Sequence, residues 1–447
     1  MNTVTIYQGH VLDKIKELPD NSIHCIITSP PYFGPRNYDL DPVIWGDNVH
    51  TQSCKHDWVY KTRTRRINDT KPGKKQSTNK GSLYRDIPVP YADCQICGAW
   101  LGCLGLEPTV ELYVSHIVDV CRELRRVLRK DGVFFLNIGD NYANKNIPSL
   151  ALKPKDLYGI PWRVALALQA DGWWLRCDII WKKRNAMPES ILDRPVREHE
   201  YIFMFTKDLH SFWDHVAVRE KGSGKLPWGG RPLGKINSEL AQGRYGKTSI
   251  HRAMSREERM KWHGRGHNLR SVWDIPTKSF AGEHYASFPT DLAEVCIKAG
   301  TSEKGCCPIC GSPWQRVLIK IDDRHWTQRR GSGVKWAMGM GHGRGDGGHS
   351  FVQNMIPTSD WKPSCNCMIE NSISNPDFGE VTSHYIPDPI PCTVLDPFFG
   401  SGTVGVSSLK LGRNCIGIEL GTQYIKMAKD RIDKLFGLVA DIRVVVE

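Results

Sequence analysis

The chain has 447 residues, a formal net charge of +12 and a composition ordinary for a globular protein, so it can bury a large core and build two or three domains. It holds no run of about eighteen apolar residues, and residues 1–8 lack the basic and apolar regions of a secretory leader. A transmembrane helix is therefore not expected, and the reading is a cytoplasmic protein with no membrane partner. Fifteen cysteines in such a chain argue against a disulfide framework, and their pairing at short spacing points to metal.

Along the chain, residues 1–32 read strand, helix, strand, loop. Ile23, His24, Cys25, Ile26, Ile27 and Thr28 form a short apolar run stopped by two prolines, the pattern of a buried strand. Residues 33–106 are polar and irregular. Over 111–129, Leu112, Ile117, Val120, Leu124 and Leu128 recur near helical spacing, and Lys130, Asp131 and Gly132 are expected to end that helix. Residues 133–138, 177–181 and 201–205 read as strands, and 162–170 and 290–300 as helices. Residues 305–390 are irregular. The last segment reads strand 393–396, glycine-rich loop, helix 403–411, strand 415–419 and helix 423–436. Strands alternating with helices imply an α/β domain around a mostly parallel sheet, interrupted by two irregular insertions.

Positive charge is concentrated. Residues 55–85 carry ten Lys/Arg against two Asp/Glu, and residues 219–270 carry thirteen against four. Two such stretches, with Trp228, Tyr245 and Trp262 among the charges of the second, favour phosphate contacts with a polyanionic partner. Arg231, Arg244, Arg252, Arg256 and Arg265 are the candidates for reaching base edges.

The run Asp396, Pro397, Phe398, Phe399, Gly400, Ser401, Gly402, Thr403, Val404, Gly405 is a strand end, a glycine-rich turn and a helix start. Small residues there let a ligand approach backbone at a helix N-terminus. Glu419, at the tip of the next strand, is where an acid binds ribose hydroxyls. The motif alone leaves a nicotinamide cofactor and S-adenosylmethionine both open. Its position separates them: only 28 residues follow Glu419, too few to finish a doubly wound sheet, so the sheet must be completed by strands from earlier in the chain.

Thr28, Ser29, Pro30, Pro31 and Tyr32 follow the buried strand, at the edge where open α/β sheets place ligands. An exocyclic base amine is a weak nucleophile because its lone pair is delocalised into the ring. A hydroxyl (Ser29) and a rigidly held carbonyl (Pro30) can accept its two protons and favour a pyramidal nitrogen. Tandem prolines leave no competing N–H at positions 30 and 31. Tyr32 supplies a face for stacking an extruded base. Pro391-Cys392 is a competing string, the pair a thiolate-dependent base methyltransferase would need. Cys392 instead enters the cofactor strand and reads as a buried strand cysteine.

Together these motifs resemble the beta-order DNA amino-methyltransferases, in which the catalytic motif precedes the target-recognition region and the cofactor motif comes last. The resemblance implies a Rossmann-like class I methyltransferase fold with permuted motif order, S-adenosylmethionine as cofactor and base flipping in double-stranded DNA. Residues 28–32 match the catalytic motif, and residues 396–403 with Glu419 match the cofactor motif. His284, Phe288 and Pro289 resemble the segment that closes over the methionine part. Asn185, Met187, Pro188, Asp193, Arg194, His199 and Glu200 resemble a branch of the family. A serine at the head of the motif is similar to the cytosine-N4 enzymes, an aspartate being usual for adenine-N6. Where the family has Gly-Asp near its N-terminus this chain has Gly9-His10, so His10 or Asp13 is expected near the adenine. The resemblance leaves room for a homodimer and for a separate restriction endonuclease. A non-catalytic, zinc-bearing DNA-binding protein is the rival from another class.

Cys94-x-x-Cys97-Gly98 and Cys307-x-x-Cys310-Gly311 are zinc-knuckle turns. Cys54 with His56 completes a set of three cysteines and one histidine for the first. Cys365 with Cys367 completes a set of four cysteines for the second, with Cys103 and Cys306 as substitutes. Neither site is assigned a catalytic role. The resulting organisation is a catalytic half over 1–50, a basic zinc-bearing insertion over 51–106, the continued domain over 107–213 and a target-recognition region over 214–272. A cofactor-closing segment over 273–304, a second zinc-bearing insertion over 305–390 and the cofactor half over 391–447 follow.

Overall fold

The computed structural model describes residues 2–34, 38, 40–46, 54–68, 84–144, 147–186, 189–220, 267–277, 288–320, 355–375, 379–437 and 440–446. They form two units, residues 1–303 with 392–447, and residues 304–391.

In chain order the first unit runs β1 (Thr3–Gln8), α1 (Val11–Lys14), β2 (Ile23–Thr28), β3 (Val43–Trp45), β4 (Trp58–Asn68), β5 (Tyr84–Cys94), β6 (Trp100–Gly102), α2 (Val110–Val127) and β7 (Leu128–Ile138). It continues with α3 (Ile160–Ala170), β8 (Trp174–Lys182), β9 (His199–Thr206), β10 (Val272–Asp274) and α4 (Thr290–Gly300). The second unit holds β11 (Gln315–Lys320), β12 (Met355–Lys362), β13 (Ile369–Asn375) and β14 (Gly379–Tyr385). The chain then returns with β15 (Thr393–Asp396), α5 (Thr403–Lys410), β16 (Asn414–Glu419), α6 (Thr422–Phe436) and β17 (Asp441–Val445).

A nine-stranded sheet has the order β10-β8-β9-β7-β2-β15-β16-β1-β17. The pairs β8–β9 and β7–β9 are antiparallel and the others parallel. β15 and β16, near the end of the chain, lie between β2 and β1 from its beginning. All six side chains of β2 are buried, as a strand covered on both faces requires. Alternate residues face opposite ways. Ile26, Phe134 and Leu136 pack with α1, α2 and α3, whereas Cys25, Ile27, Val133 and Phe135 pack with α4, α5 and α6.

Three expectations need correction. The helix over 111–129 stops at Val127, and residues 130–132 lie inside β7. Leu128 is fully buried and takes an extended backbone, so the chain enters the sheet without a turn, and the β2–β7 register slips between Ile23 and Cys25 to absorb it. Residues 33–106 are not simply irregular, because β3, β6, β5 and β4 form a four-stranded antiparallel sheet. Likewise 305–390 holds the antiparallel strand pairs β11–β12 and β13–β14. These strands are short or polar and carry little of the apolar alternation that marks a strand in sequence. Among the described residues no helix is long and apolar enough to cross a membrane.

Candidate active site

β2 and β15 are parallel neighbours, with Val394 opposite Cys25 and Leu395 opposite Ile26. Their following loops therefore leave the same edge of the sheet side by side. The Thr28 hydroxyl donates to Asp396 Oδ1 at 2.7 Å and joins the two loops at their roots. An open cavity lies between them. Ser29, Pro30, Pro31 and Tyr32 line one side. Asp396, Pro397, Phe398, Gly400, Ser401, Thr403 and Glu419 line the other, and His10 and Phe288, also expected from sequence, border it too.

Both acids are buried. Burial, together with the Glu419 charge, lifts Asp396 to about 7, although the Thr28 hydroxyl and the Phe398 N–H oppose the rise. Burial also raises Glu419, against bonds from the Gly421 and Gly400 N–H groups at 2.8 Å each. Two buried carboxyls make each other costlier to ionise, a cost that a cationic ligand relieves. His10 Nε2 is buried without a hydrogen-bond partner among the described residues and lines the same cavity. Apolar walls, two carboxyls and an unpartnered imidazole nitrogen fit a nucleoside cofactor bearing positive charge.

The loop after β2 is braced from below. Tyr113 Oη donates to the Pro31 carbonyl at 3.0 Å. Gly105, with φ +89°, presses against the same loop: a Cβ there would lie 2.7 Å from the Tyr32 carbonyl. The Gly105 N–H is held by Glu107, whose other oxygen pairs with His116 Nδ1 at 3.1 Å. His116 is in turn stacked between Trp45 and Trp100. Above, Ser29 Oγ donates to Tyr32 Oη at 3.2 Å, and Tyr32 Oη donates its one proton to Glu200 Oε2 at 2.9 Å, with Asn137 Oδ1 a second acceptor within reach at 3.2 Å.

The chain matches the model of a DNA methylase family, the N6- and N4-methyltransferases, over residues 23–307 and 392–430. It belongs to that family. It is 31% identical over 348 residues to the type II methyltransferase M.Cfr9I of Citrobacter freundii, covering 73% of this chain and 83% of that one. To M.XycI of Xanthomonas campestris pv. cyanopsidis it is 28% identical over 447 residues, covering 96% and 87%. Among solved structures, the cytosine-N4-specific PvuII DNA methyltransferase aligns at a TM-score of 0.45 and 12% identity, covering 99% of this chain and 95% of that one. The methylase is thus an S-adenosylmethionine-dependent DNA methyltransferase of restriction-modification type, acting on cytosine N4 or adenine N6.

Several residues of the methylase singled out by sequence sit elsewhere than expected. Thr28 lies behind the cavity, on Asp396. Asp13 is exposed and faces His10 Nδ1 at 3.7 Å. Pro289 caps α4 and, like Asp13, is absent from the lining. Gly402 and Gly405 do not border the cavity: Cβ atoms there would meet Ala428 at 3.0 Å and the Phe399 ring at 2.7 Å, so these glycines serve helix packing, while Gly400 borders the cavity. His284, Met187, Pro188 and the arginines 231, 244, 252, 256 and 265 lie outside the described residues. Sequence reasoning missed Tyr38, Val43, Trp45 and Leu104 in the cavity wall. Their only signal was the apolar triplet Val43, Ile44, Trp45 in a polar stretch.

Both cysteine sets assemble. In each, the four ligand atoms lie within 4.8 Å of one another. Cys54 Sγ is 3.8 Å from Cys94 Sγ, and Cys97 Sγ is 3.4 Å from His56 Nδ1. Bonds of about 2.3 Å in a tetrahedron set its sulfur–sulfur edges at about 3.8 Å. The knuckle turns match: the Gly98 N–H bonds the Cys94 carbonyl, and the Gly311 N–H bonds the Cys307 carbonyl. Burial opposes ionisation of Cys94, yet the Cys97 and Ile96 N–H groups and His56 bring it down to about 6. Cys310 likewise falls to about 6, its burial outweighed by Ser312 and the neighbouring thiols. Cys103 points instead to the Leu40 carbonyl and Cys306 to that of Ile390, so neither substitutes as a ligand. Cys392 is fully buried just before β15.

Proposed function

We propose that this methylase methylates N4 of cytosine in duplex DNA, drawing the extruded base into the cavity beside Ser29. The observation that carries the reading is that the Ser29–Tyr32 loop and the Asp396–Thr403 loop, from neighbouring parallel strands, face one cavity. Ser29 at the head of the motif favours cytosine over adenine.

S-adenosylmethionine, when bound, supplies a methyl group on a cationic sulfur that leaves as a neutral thioether, so no covalent enzyme intermediate is required. Asp396, Glu419, His10 and the Gly400–Thr403 turn hold it. Ser29 Oγ accepts one proton of the base amine while donating its own to Tyr32. Tyr113 occupies the Pro31 carbonyl, and among the described residues none bonds the Pro30 carbonyl, which takes the second amine proton. Tyr32 offers its ring to the base with its hydroxyl anchored on Glu200 and Asn137. Accepting both amine protons localises the nitrogen lone pair towards the methyl group.

The domain is a permuted Rossmann-like methyltransferase, with recognition in the basic stretch 214–272. Each cysteine set holds a structural zinc, closed to substrate by its four protein ligands. A homodimer and a separate endonuclease are compatible partners in a restriction-modification pair.

The test is methyl transfer from labelled S-adenosylmethionine to unmethylated, enzymatically amplified genomic DNA, with nucleoside mass spectrometry of the product. N4-methylcytosine is expected, and Ser29→Ala should lower the rate about a hundredfold or more with DNA binding retained. N6-methyladenine would move the target to adenine. A Ser29→Ala variant at the wild-type rate would overturn the role of the loop.

A further inference from the structure

We propose that Glu200 is the final acceptor of the proton that the base amine loses, reached through Ser29 and Tyr32. This rests on the amine-methylation reading and adds to it the fate of the proton.

Methylation leaves one proton too many on the nitrogen. The amine lone pair forms the N–C bond, the C–S bond breaks with its electron pair retained by sulfur, and one N–H proton must depart. The hydrogen bonds already run in the required direction. Ser29 Oγ donates to Tyr32 Oη at 3.2 Å, and Tyr32 Oη donates to Glu200 Oε2 at 2.9 Å. A proton arriving at Ser29 Oγ displaces the serine proton to Tyr32, which passes its own to the carboxylate. Each hydroxyl ends with the one proton it began with. The Glu200 side chain is 17% exposed, so the proton can leave it for water and reset the chain.

The fold explains why an acid 168 residues away in sequence stands at the catalytic loop. β9 is antiparallel to β7, with Asn137 opposite Ile202, so the start of β9 lies at the edge where β2 and β7 end. β8 is antiparallel to β9 and ends at the same edge, where Lys183 follows it and pairs with Glu200 Oε1. Lys183 also lies 5.0 Å from the centre of the Trp181 ring. Asn137 Nδ2 donates to Glu200 Oε2 at 3.2 Å and to the Tyr201 carbonyl at 3.1 Å, which fixes the carboxylate from the third side. A carboxylate retained only to position Tyr32 would be replaceable by an amide, whose oxygen accepts the same bond. A proton acceptor is not replaceable in that way.

The experiment is single-turnover methyl transfer, enzyme in excess over unmethylated amplified genomic DNA, for the wild type, Glu200→Gln, Glu200→Asp, Tyr32→Phe and the Tyr32→Phe/Glu200→Gln double variant. Glu200→Gln should lower the single-turnover rate about a hundredfold, within the range for loss of a general base. Its calorimetric affinity for S-adenosylmethionine should stay within about twofold of wild type, which also reports that it folds. Glu200→Asp should recover part of the rate, and the double variant should be no slower than the slower single. The wild-type rate should respond to deuterium fraction with a curved proton inventory, made linear by Tyr32→Phe. A Glu200→Gln rate equal to wild type, effects that multiply in the double variant, or a flat inventory in the wild type would each overturn the relay while leaving amine methylation standing. Absence of methyl transfer by the wild type to any of this DNA would instead remove the reading beneath it, and the relay with it.

Discussion

The two four-ligand clusters of this methylase share a turn and differ in what the turn is attached to. Cys94 and Cys97 sit where β5 turns towards β6, and that sheet reaches the cavity. Trp45 on β3 bonds the Gly102 carbonyl of β6 at 3.1 Å, stacks with Trp100 around His116, and lines the cavity itself. Cys307 and Cys310 belong to the 304–391 unit, and among the described residues the cavity's lining comes from the first unit. One local motif can thus serve two purposes. A metal at the first cluster would stiffen a wall of the cavity, whereas a metal at the second would hold together the segment that carries it.

The largest expected effect tests the packed link between the first cluster and the Ser29–Tyr32 loop. Glu107→Ala strips the buried His116 and the Gly105 N–H of their acceptor and should cost about 3 kcal/mol of stability in urea unfolding, with weaker cofactor binding. A variant as stable as wild type would mean that the Trp45–His116–Trp100 stack holds the wall without it. Next in size, Cys97→Ser should weaken S-adenosylmethionine binding about tenfold, close to 1.4 kcal/mol, whereas Cys310→Ser should leave it within about twofold. Zinc content by mass spectrometry should fall in both. Equal losses of cofactor affinity in the two variants would erase the distinction between the clusters.

The smallest effect concerns the cavity wall that no metal supports. Asp396 titrates near 7 when folded, against an ordinary value of 3.8. The folded state therefore binds more protons than the unfolded state between those values, and stability without cofactor should fall as pH rises through that window. Asp396→Asn keeps the oxygen that accepts from Thr28 and Phe398 but cannot ionise. Calorimetric melting should place the variant a few degrees above wild type at pH 8, with the gap shrinking as pH falls through the window towards 3.8. The same pH slope in both proteins would show that Asp396 is not the group responsible.

Much of this was legible in the chain. Residues 28–32 and 396–405 announce their loops because proline and glycine leave the backbone few options, and both knuckles are visible because Cys-x-x-Cys-Gly specifies a turn by itself. The inner strands of the main sheet were legible because burial on both faces demands continuous apolar runs, as in β2, whereas the edge strands β10 and β17 were not. The small sheet over β3–β6 was not, since its strands are short or polar.

By itself the sequence determined which residues end the two loops and which thiols could share a metal. Only the tertiary structure decided that Gly402 and Gly405 meet Ala428 and Phe399 and not the cavity, that Trp45 belongs to the cavity wall, and that Glu200 stands behind Tyr32. The reason is one of range. Turn geometry depends on neighbours in the chain, whereas the partner of a side chain depends on strand order and direction. Here an antiparallel β9, set beside β7, carries Glu200 to the edge where the Ser29–Tyr32 loop leaves the sheet.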